Sequence, residues 1–244
     1  MHLQFVGCGD AFGSGGRFNT CFHVVGARAN FLIDCGASSL VALNRLGIDR
    51  RAIDTILITH FHGDHFGGVP YFILESHFGK RTRPLAIAGP EGIENWYTRA
   101  MEAAFEHFSE IKLAFDLNIM TLPERAATAI GPLSVTPFPV VHGNSGGPFF
   151  AYRIAVENRV IAFSGDTEWT DTLIDVARDA DLFITECYSY DKAIRNHLNW
   201  KTIEQNLARL APKKLVLTHM SDDMLARRHQ VPHLTATDGM VVSL

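Results

Sequence analysis

The sequence has few cysteines, no long hydrophobic run and no excess of basic residues. Its four cysteines, Cys8, Cys21, Cys35 and Cys187, form no CxxC pair, which excludes a zinc knuckle or thioredoxin motif and favours free thiols in a reducing cytoplasm. No segment approaches the about 18 apolar residues of a membrane span, and the N-terminus lacks a signal-peptide pattern. A net charge of −4 provides no general nucleic-acid-binding surface. We therefore expect a cytoplasmic protein with no membrane partner.

The remaining composition is that of a globular protein. Of 244 residues, 47% are hydrophobic and 20% are charged, which excludes intrinsic disorder. No low-complexity stretch or linker divides the chain, and its length suits one α/β unit. We predict a single domain over residues 1–244.

Short β-branched segments alternate with amphipathic segments along the chain. The predicted strands include 55–59, 133–137, 159–163, 181–185 and 214–218, and the predicted helices are 38–46, 90–105, 171–178 and 202–210. Two early hairpin strands, 21–26 and 30–34, complete a pattern typical of a mixed α/β sandwich. Each half also contains a strand that ends in aspartate and a later strand that ends in Thr-His, which suits two stacked β/α halves.

The strongest local signal is a group of metal-ligand residues directly after the strand at 55–59. His60, His62, Asp64 and His65 lie within six residues, a density that suits nitrogen and oxygen ligands of a divalent metal rather than a solvated surface. The glycines among them, Gly63, Gly67 and Gly68, would allow sharp turns and close backbone approach.

Three further candidate ligands follow other predicted strands. His142, Asp166 and His219 each come at a strand end, and the carboxyl ends of strands in α/β proteins meet at one edge of the sheet. Because one catalytic metal needs only three protein ligands, five histidines and two aspartates suit two metals that share a carboxylate. Zinc is the first expectation, and manganese or iron stays open because this ligand set accepts all three.

The chain resembles the metallo-β-lactamase superfamily in its motif His60-x-His62-x-Asp64-His65, which is followed in order by His142, Asp166 and His219. The resemblance implies a four-layer αββα sandwich over the single predicted domain. It implies that His60, His62 and His142 hold one metal, that Asp64, His65 and His219 hold the other, and that Asp166 bridges them. It also implies that Asp34 supports a ligand without binding metal itself.

Several segments resemble ribonuclease Z and related small phosphodiesterases within that superfamily. They include Gly7-Cys-Gly9, the strand that ends in Asp34-Cys-Gly36, and Ser164-Gly-Asp-Thr167. The resemblance implies that Glu186 and His197 pair beside the metals and that His197 donates a proton to the leaving group. Only 24 residues separate His142 from Asp166, with no basic arm between them, which argues against a tRNA substrate.

We therefore expect a dinuclear metallohydrolase that cleaves a small phosphodiester, linear or cyclic, with a hydroxide held between two metals. Asp64, Glu186 and His197 are the predicted catalytic residues. A lactonase or thioesterase acting at the same site, an iron-dependent oxygen-handling relative and a non-catalytic binding protein stay open, as does a homodimer. The Gly-x-Ser-x-Gly match at 143–147 is not interpreted as a serine hydrolase, because the following residues read as a strand rather than a helix.

Overall fold

The computed structural model describes residues 1–244 and contains two β-sheets. The strands are β1 (His2–Gly7), β2 (Cys21–Val25), β3 (Asn30–Ile33), β4 (Thr55–Leu57), β5 (Leu85–Gly89), β6 (Leu117–Thr121), β7 (Thr128–Ile130), β8 (Leu133–Pro139), β9 (Phe150–Val156), β10 (Arg159–Phe163), β11 (Leu182–Glu186), β12 (Leu215–Thr218), β13 (Leu234–Thr235) and β14 (Val241–Ser243). The helices are α1 (Ser39–Arg45), α2 (Gly63–Phe66), α3 (Val69–Phe78), α4 (Ile93–Ala104), α5 (Thr172–Ala177), α6 (Trp200–Leu210) and α7 (Asp222–Arg227). No helix has the length and apolar character that crossing a membrane requires.

The two sheets repeat one strand arrangement. Each has seven strands, in the orders β14-β1-β2-β3-β4-β5-β6 and β7-β8-β9-β10-β11-β12-β13. In both orders three antiparallel pairs are followed by three parallel pairs. The parallel part of each sheet therefore presents several strand carboxyl ends at one edge, where α/β proteins bind ligands.

A hydrophobic core fills the space between the sheets. Phe22 on β2 packs edge-on against Phe163 on β10, with ring centroids 5.0 Å apart, and the Tyr152 hydroxyl donates to the Ile58 carbonyl. Two further cores lie on the outer faces, one under α1, α3 and α4 and the other under α5, α6 and α7. The four layers are those of the predicted αββα sandwich. The boundary of one domain over residues 1–244 stays a prediction.

Most predicted elements are present with shifted ends. The helix predicted at 202–210 begins two residues earlier, because the Asn199 side chain caps it by accepting from the Thr202 N–H at 2.9 Å. Helix α3 was not predicted. Its sequence, Val69-Pro-Tyr-Phe-Ile-Leu, is apolar on most faces and lacks the amphipathic period that identifies a surface helix.

Candidate metal centre

The ligand-rich segment turns sharply after β4 and enters the short helix α2. His62 precedes the helix, and Asp64 and His65 lie within it. The Cys35 N–H donates to the His65 carbonyl at 2.7 Å, which ties this turn to the segment after β3. A Cβ on Gly68 would lie 2.2 Å from the Gly36 carbonyl oxygen, whereas one on Gly63 would meet nothing within 4 Å. The close approach therefore depends on Gly68 and does not involve Gly63.

Three histidine nitrogens converge on one side of the centre, and we call His60, His62 and His142 the three-histidine group. His62 Nδ1 lies 3.1 Å from His60 Nε2 and 3.2 Å from His142 Nε2. Each ring is oriented through its other nitrogen. His60 Nδ1 is 3.1 Å from the Thr59 hydroxyl, His62 Nε2–H donates to the Ser145 carbonyl at 2.9 Å, and His142 Nδ1–H donates to the Asn196 carbonyl at 2.9 Å.

Four buried side chains form the second set, which we call the carboxylate group: Asp64, His65, Asp166 and His219. His219 Nε2 lies 3.1 Å from Asp64 Oδ2 and 3.2 Å from Asp166 Oδ2, and His65 Nε2 is 3.3 Å from the same Asp166 oxygen. His65 Nδ1–H donates to the buried Asp34 carboxylate at 2.7 Å. Asp34 thus orients a candidate ligand, as the resemblance implied.

Asp166 contacts both groups. Its Oδ2 atom lies 3.6 Å from His142 Nε2 in addition to its contacts with His65 and His219. Asp166 therefore lies where the two groups adjoin. Asp166 Oδ1 is buried without a hydrogen-bond partner, which is costly for a carboxylate oxygen unless a cation is bound there.

The two groups differ in their electrostatics. Burial lowers the pKa of His60 and of His142, so both are neutral ligands near pH 7. Burial also disfavours the charged form of His219, but Asp166 and Asp64 outweigh it and raise the pKa of His219 to about 9. The same carboxylates raise the pKa of His65 against the effect of its burial. Without metal, the carboxylate group therefore holds protonated histidines between two carboxylates.

Glu186 and His197 lie beside these groups. Glu186 ends β11 and is fully buried, and its two carboxylate oxygens are 3.1 and 3.2 Å from His197 Nδ1. Burial lowers the pKa of His197, but the Glu186 carboxylate outweighs this and raises it overall. The segment that carries His197 is held next to the end of β11, because the Tyr188 N–H donates to the Leu198 carbonyl at 2.9 Å. His197 therefore keeps one nitrogen on Glu186 and has its other, Nε2, free of that contact.

A cleft of about 320 Å³ opens onto this centre. Its lining combines candidate ligands from both groups with His197, and it continues to the rim at Phe12, Tyr188 and the loop at 143–145. The Phe12 side chain is 82% exposed. Its loop is held by the buried Asp10 carboxylate, which accepts from the backbone N–H groups of Phe12 and Ser14. The rim is therefore an ordered aromatic edge.

The structure brings all the sequence-predicted site residues to this one place, while their individual roles stay predictions. Sequence reasoning missed the residues that orient or border them. Asn196 and Ser145 orient two histidines through their backbone carbonyls, which leave no side-chain signal in a sequence. Phe12 and Tyr188 border the cleft but belong to no recognisable sequence motif. Ser145 is exposed on the loop before β9, so the Gly-x-Ser-x-Gly match lacks the helix of a nucleophile elbow.

Comparison with known proteins places this centre in a family. A family model described as anti-Pycsar protein Apyc1 matches residues 1–237. The chain belongs to the Apyc1 family. Its relatives include ribonuclease Z of Geobacillus kaustophilus, 25% identical over 91% of this chain and 88% of the relative. Ribonuclease Z of Methanothermobacter thermautotrophicus is 27% identical over 91% and 87%.

Solved structures are similar to this chain over its whole length. The short form of human tRNase Z superposes with a TM-score of 0.80 at 25% identity, covering 100% of this chain and 99% of its own. The metallo-β-lactamase fold protein YhfI of Bacillus subtilis gives a TM-score of 0.79 at 19% identity, over 99% and 98%, and shows the fold alone. The predicted resemblance to ribonuclease Z-like metallo-β-lactamase proteins is confirmed. This Apyc1 family member is a hydrolase of that fold with buried clusters able to hold metal.

Proposed function

We propose that this protein is a phosphodiesterase that hydrolyses a small phosphodiester, such as a cyclic nucleotide or a cyclic ribose phosphate. One observation carries the proposal: two ligand groups adjoin at Asp166 and open into the same cleft as a histidine held by a buried glutamate. A phosphodiester needs a nucleophile, charge neutralisation and a proton for its leaving oxygen. This arrangement is suited to all three tasks.

The two groups have the donor chemistry of a pair of divalent ions. His60, His62 and His142 would hold one ion, Asp64, His65 and His219 the other, and Asp166 both, with zinc as the first choice and manganese or iron as alternatives. Such ions supply Lewis acidity toward phosphoryl oxygens and a hydroxide nucleophile at neutral pH.

The remaining steps belong to side chains of the cleft. Asp64 lies at the cleft surface, where its carboxylate can orient the attacking water or accept its proton. His197 donates a proton to the leaving oxygen, and the contact of Glu186 with Nδ1 fixes the tautomer and orientation of the ring.

The cleft and the surface favour a small substrate. A volume of about 320 Å³ is at the low end for small-molecule sites, and the net charge of −4 does not attract a polyanion. Residues 143–165 form a loop and the β9–β10 hairpin, so no basic arm lies between His142 and Asp166. Phe12 at the rim favours a substrate that carries a planar base.

The names of the relatives support phosphodiester chemistry. Ribonuclease Z is named for the cleavage of RNA, a chain of phosphodiesters. The Apyc1 description states an action against Pycsar. We extend that action to this chain as part of the proposal, with phosphodiester hydrolysis as its chemistry. Four unpaired buried cysteines support a reducing, cytoplasmic location.

The first experiment is hydrolysis of bis(p-nitrophenyl) phosphate by protein of known metal content, followed by a panel of cyclic nucleotides and cyclic ribose phosphates. Asp64→Ala serves as the contamination control. We expect turnover by the unaltered protein alone, with about two metals per chain. Turnover of lactones or thioesters, but of no phosphodiester, would replace the proposal with a carboxylic ester hydrolase.

His197→Ala tests the proton donor. It should lower kcat on poor leaving groups by roughly 10²- to 10⁴-fold and have little effect on p-nitrophenolate, which needs no proton. Because the pKa of His197 is raised, the acid form persists above the ordinary histidine range. We therefore expect kcat on poor leaving groups to fall as pH rises through that pKa. The pH profile of His197→Ala should not show this fall. Equal losses on both classes of substrate would exclude the donor role.

A further inference from the structure

His197 has one hydrogen-bonded edge, and this contact does not by itself define the plane of its ring. Both carboxylate oxygens of Glu186 approach Nδ1. An imidazole held at one nitrogen can still swing about that contact, so Nε2 could point in several directions. A proton donor needs one direction, because a small misplacement of a reacting group costs much of the rate.

Tyr188 supplies the closer of two stacking restraints, because the His219 ring is also nearly parallel to the His197 imidazole, at 17°, but its centroid is 5.7 Å away. The Tyr188 ring stacks on the imidazole of His197 with centroids 4.5 Å apart and planes only 23° apart. On another side the His142 ring meets the same imidazole edge-on at 4.8 Å and 74°. A stacked ring and an edge-on ring together leave the imidazole a single plane.

Tyr188 is itself held in place by its backbone. Its N–H donates to the Leu198 carbonyl at 2.9 Å, and its carbonyl accepts from the Ser221 N–H at 3.0 Å. The residue is thereby fixed between the segment that carries His197 and the segment that follows His219. Its ring also lines the cleft, and no hydrogen bond engages its hydroxyl, so the aromatic face is the part in use.

We propose that Tyr188 is a positioning residue that sets the plane of the His197 imidazole, so that Nε2–H is aligned with the leaving oxygen of the substrate. The inference rests on the proposed function, because it assumes that His197 is the proton donor. It concerns the ring face of Tyr188 and assigns no chemistry to its hydroxyl.

The test uses aryl phosphodiesters whose leaving groups range from p-nitrophenolate to phenolate. Tyr188→Leu removes the aromatic face but keeps apolar volume, and it should lower kcat by roughly 10- to 100-fold for phenolate and less than about 2-fold for p-nitrophenolate. KM and metal content should stay unchanged. Tyr188→Phe should retain the kcat of the unaltered protein, and Tyr188→Leu should add no loss in a His197→Ala background.

Tyr190→Leu is the matched control. This tyrosine lies two residues away and is also half-buried, but its ring packs against Arg227 and Lys201 outside the cleft. We expect kcat of Tyr190→Leu to depend on the leaving group in the same way as kcat of the unaltered protein.

The outcomes separate the inference from the proposed function. If Tyr188→Phe loses as much as Tyr188→Leu, the hydroxyl acts and the inference is wrong. If Tyr188→Leu lowers kcat equally for every aryl phosphodiester in the series, the inference is also wrong. If the loss of kcat depends steeply on the leaving group in His197→Ala but not in Tyr188→Leu, only the positioning role is rejected. If the loss of kcat in His197→Ala does not depend on the leaving group, both the proton-donor role and the inference are rejected.

Discussion

The three-histidine group and the carboxylate group adjoin at Asp166, yet they are built on different principles. The three-histidine group is oriented by a hydroxyl and two backbone carbonyls, and His62 is half-buried at the cleft. All four residues of the carboxylate group are buried, and a third carboxylate, Asp34, orients its His65 ring from behind. The position at the three histidines therefore gains negative charge only through Asp166, while the position at the carboxylate group also has the charge of Asp64. We therefore expect the carboxylate group to bind metal more tightly.

The largest effect should come from Asp166, where the two groups meet. Asp166→Asn keeps the shape and removes the shared charge, so both positions should lose affinity by more than the about 100-fold upper limit for residues that only support a ligand. Elemental analysis after gel filtration should find neither metal retained. Asp64→Asn is the matched variant, since it changes the carboxylate group alone and should leave one metal with the three histidines. Two metals retained by Asp166→Asn would contradict a bridging role.

The next effect is expected at Asp34, which lies outside both ligand groups but accepts from His65 and Thr59. Asp34→Asn should weaken metal binding at the carboxylate group by about 10- to 100-fold, because the ring of His65 loses its charged orienting partner. Competition with a chelator gives the affinity. Asparagine tolerates the backbone conformation, which has φ 58° at this position. The same change at Asp54, an exposed aspartate paired with Arg83, should have no effect.

Proton release should distinguish the two groups without any substitution. Because the pKa values of His65 and His219 are raised, the second to about 9, both histidines must lose a proton when metal binds at pH 7. Affinity at the carboxylate group should therefore fall as pH falls below about 9. The histidines His60 and His142 are already neutral there. Titration calorimetry in buffers of different ionisation enthalpy should find more protons released when metal fills the carboxylate group than when it fills the three-histidine group, and equal release would contradict this difference.

The smallest effect is expected outside both groups, at the rim. Phe12→Ala should raise KM for a base-bearing cyclic nucleotide by about 5-fold, the low end for loss of base stacking on an aromatic side chain. KM for a cyclic ribose phosphate without a base, metal content and Tm should not change, because the ring is 82% exposed. Phe12→Trp should restore the lower KM. An equal rise for both substrates would remove the stacking role.

How far the sequence predicts this centre depends on how the ligands are spaced. His60, His62, Asp64 and His65 are contiguous, so their density alone signals metal. His142, Asp166 and His219 are scattered, and their convergence could be predicted only from their places at strand ends. The pairing of Glu186 with His197 depended on family resemblance, because it requires the chain to fold back over eleven residues.

Contacts made by backbone or by irregular segments could not be predicted. The carbonyls of Asn196 and Ser145 orient two ligands whatever their side chains are. The internal repeat was predicted only in outline. Thr59-His60 follows β4, the second of four parallel strands in its sheet, whereas Thr218-His219 follows β12, the third. The two Thr-His pairs are therefore not equivalent positions, although the two sheets do share one order.

The distribution of ligands along the chain also sets the order in which they become available during synthesis. A ribosome delivers His60 to His65 early, with the first sheet still incomplete, and delivers His219 only after β12 has been made. A growing chain can therefore capture an ion with part of the ligand set, but it cannot assemble the carboxylate group until β12 has joined its sheet. Tight metal binding by the carboxylate group would then report that β12 has joined the second sheet.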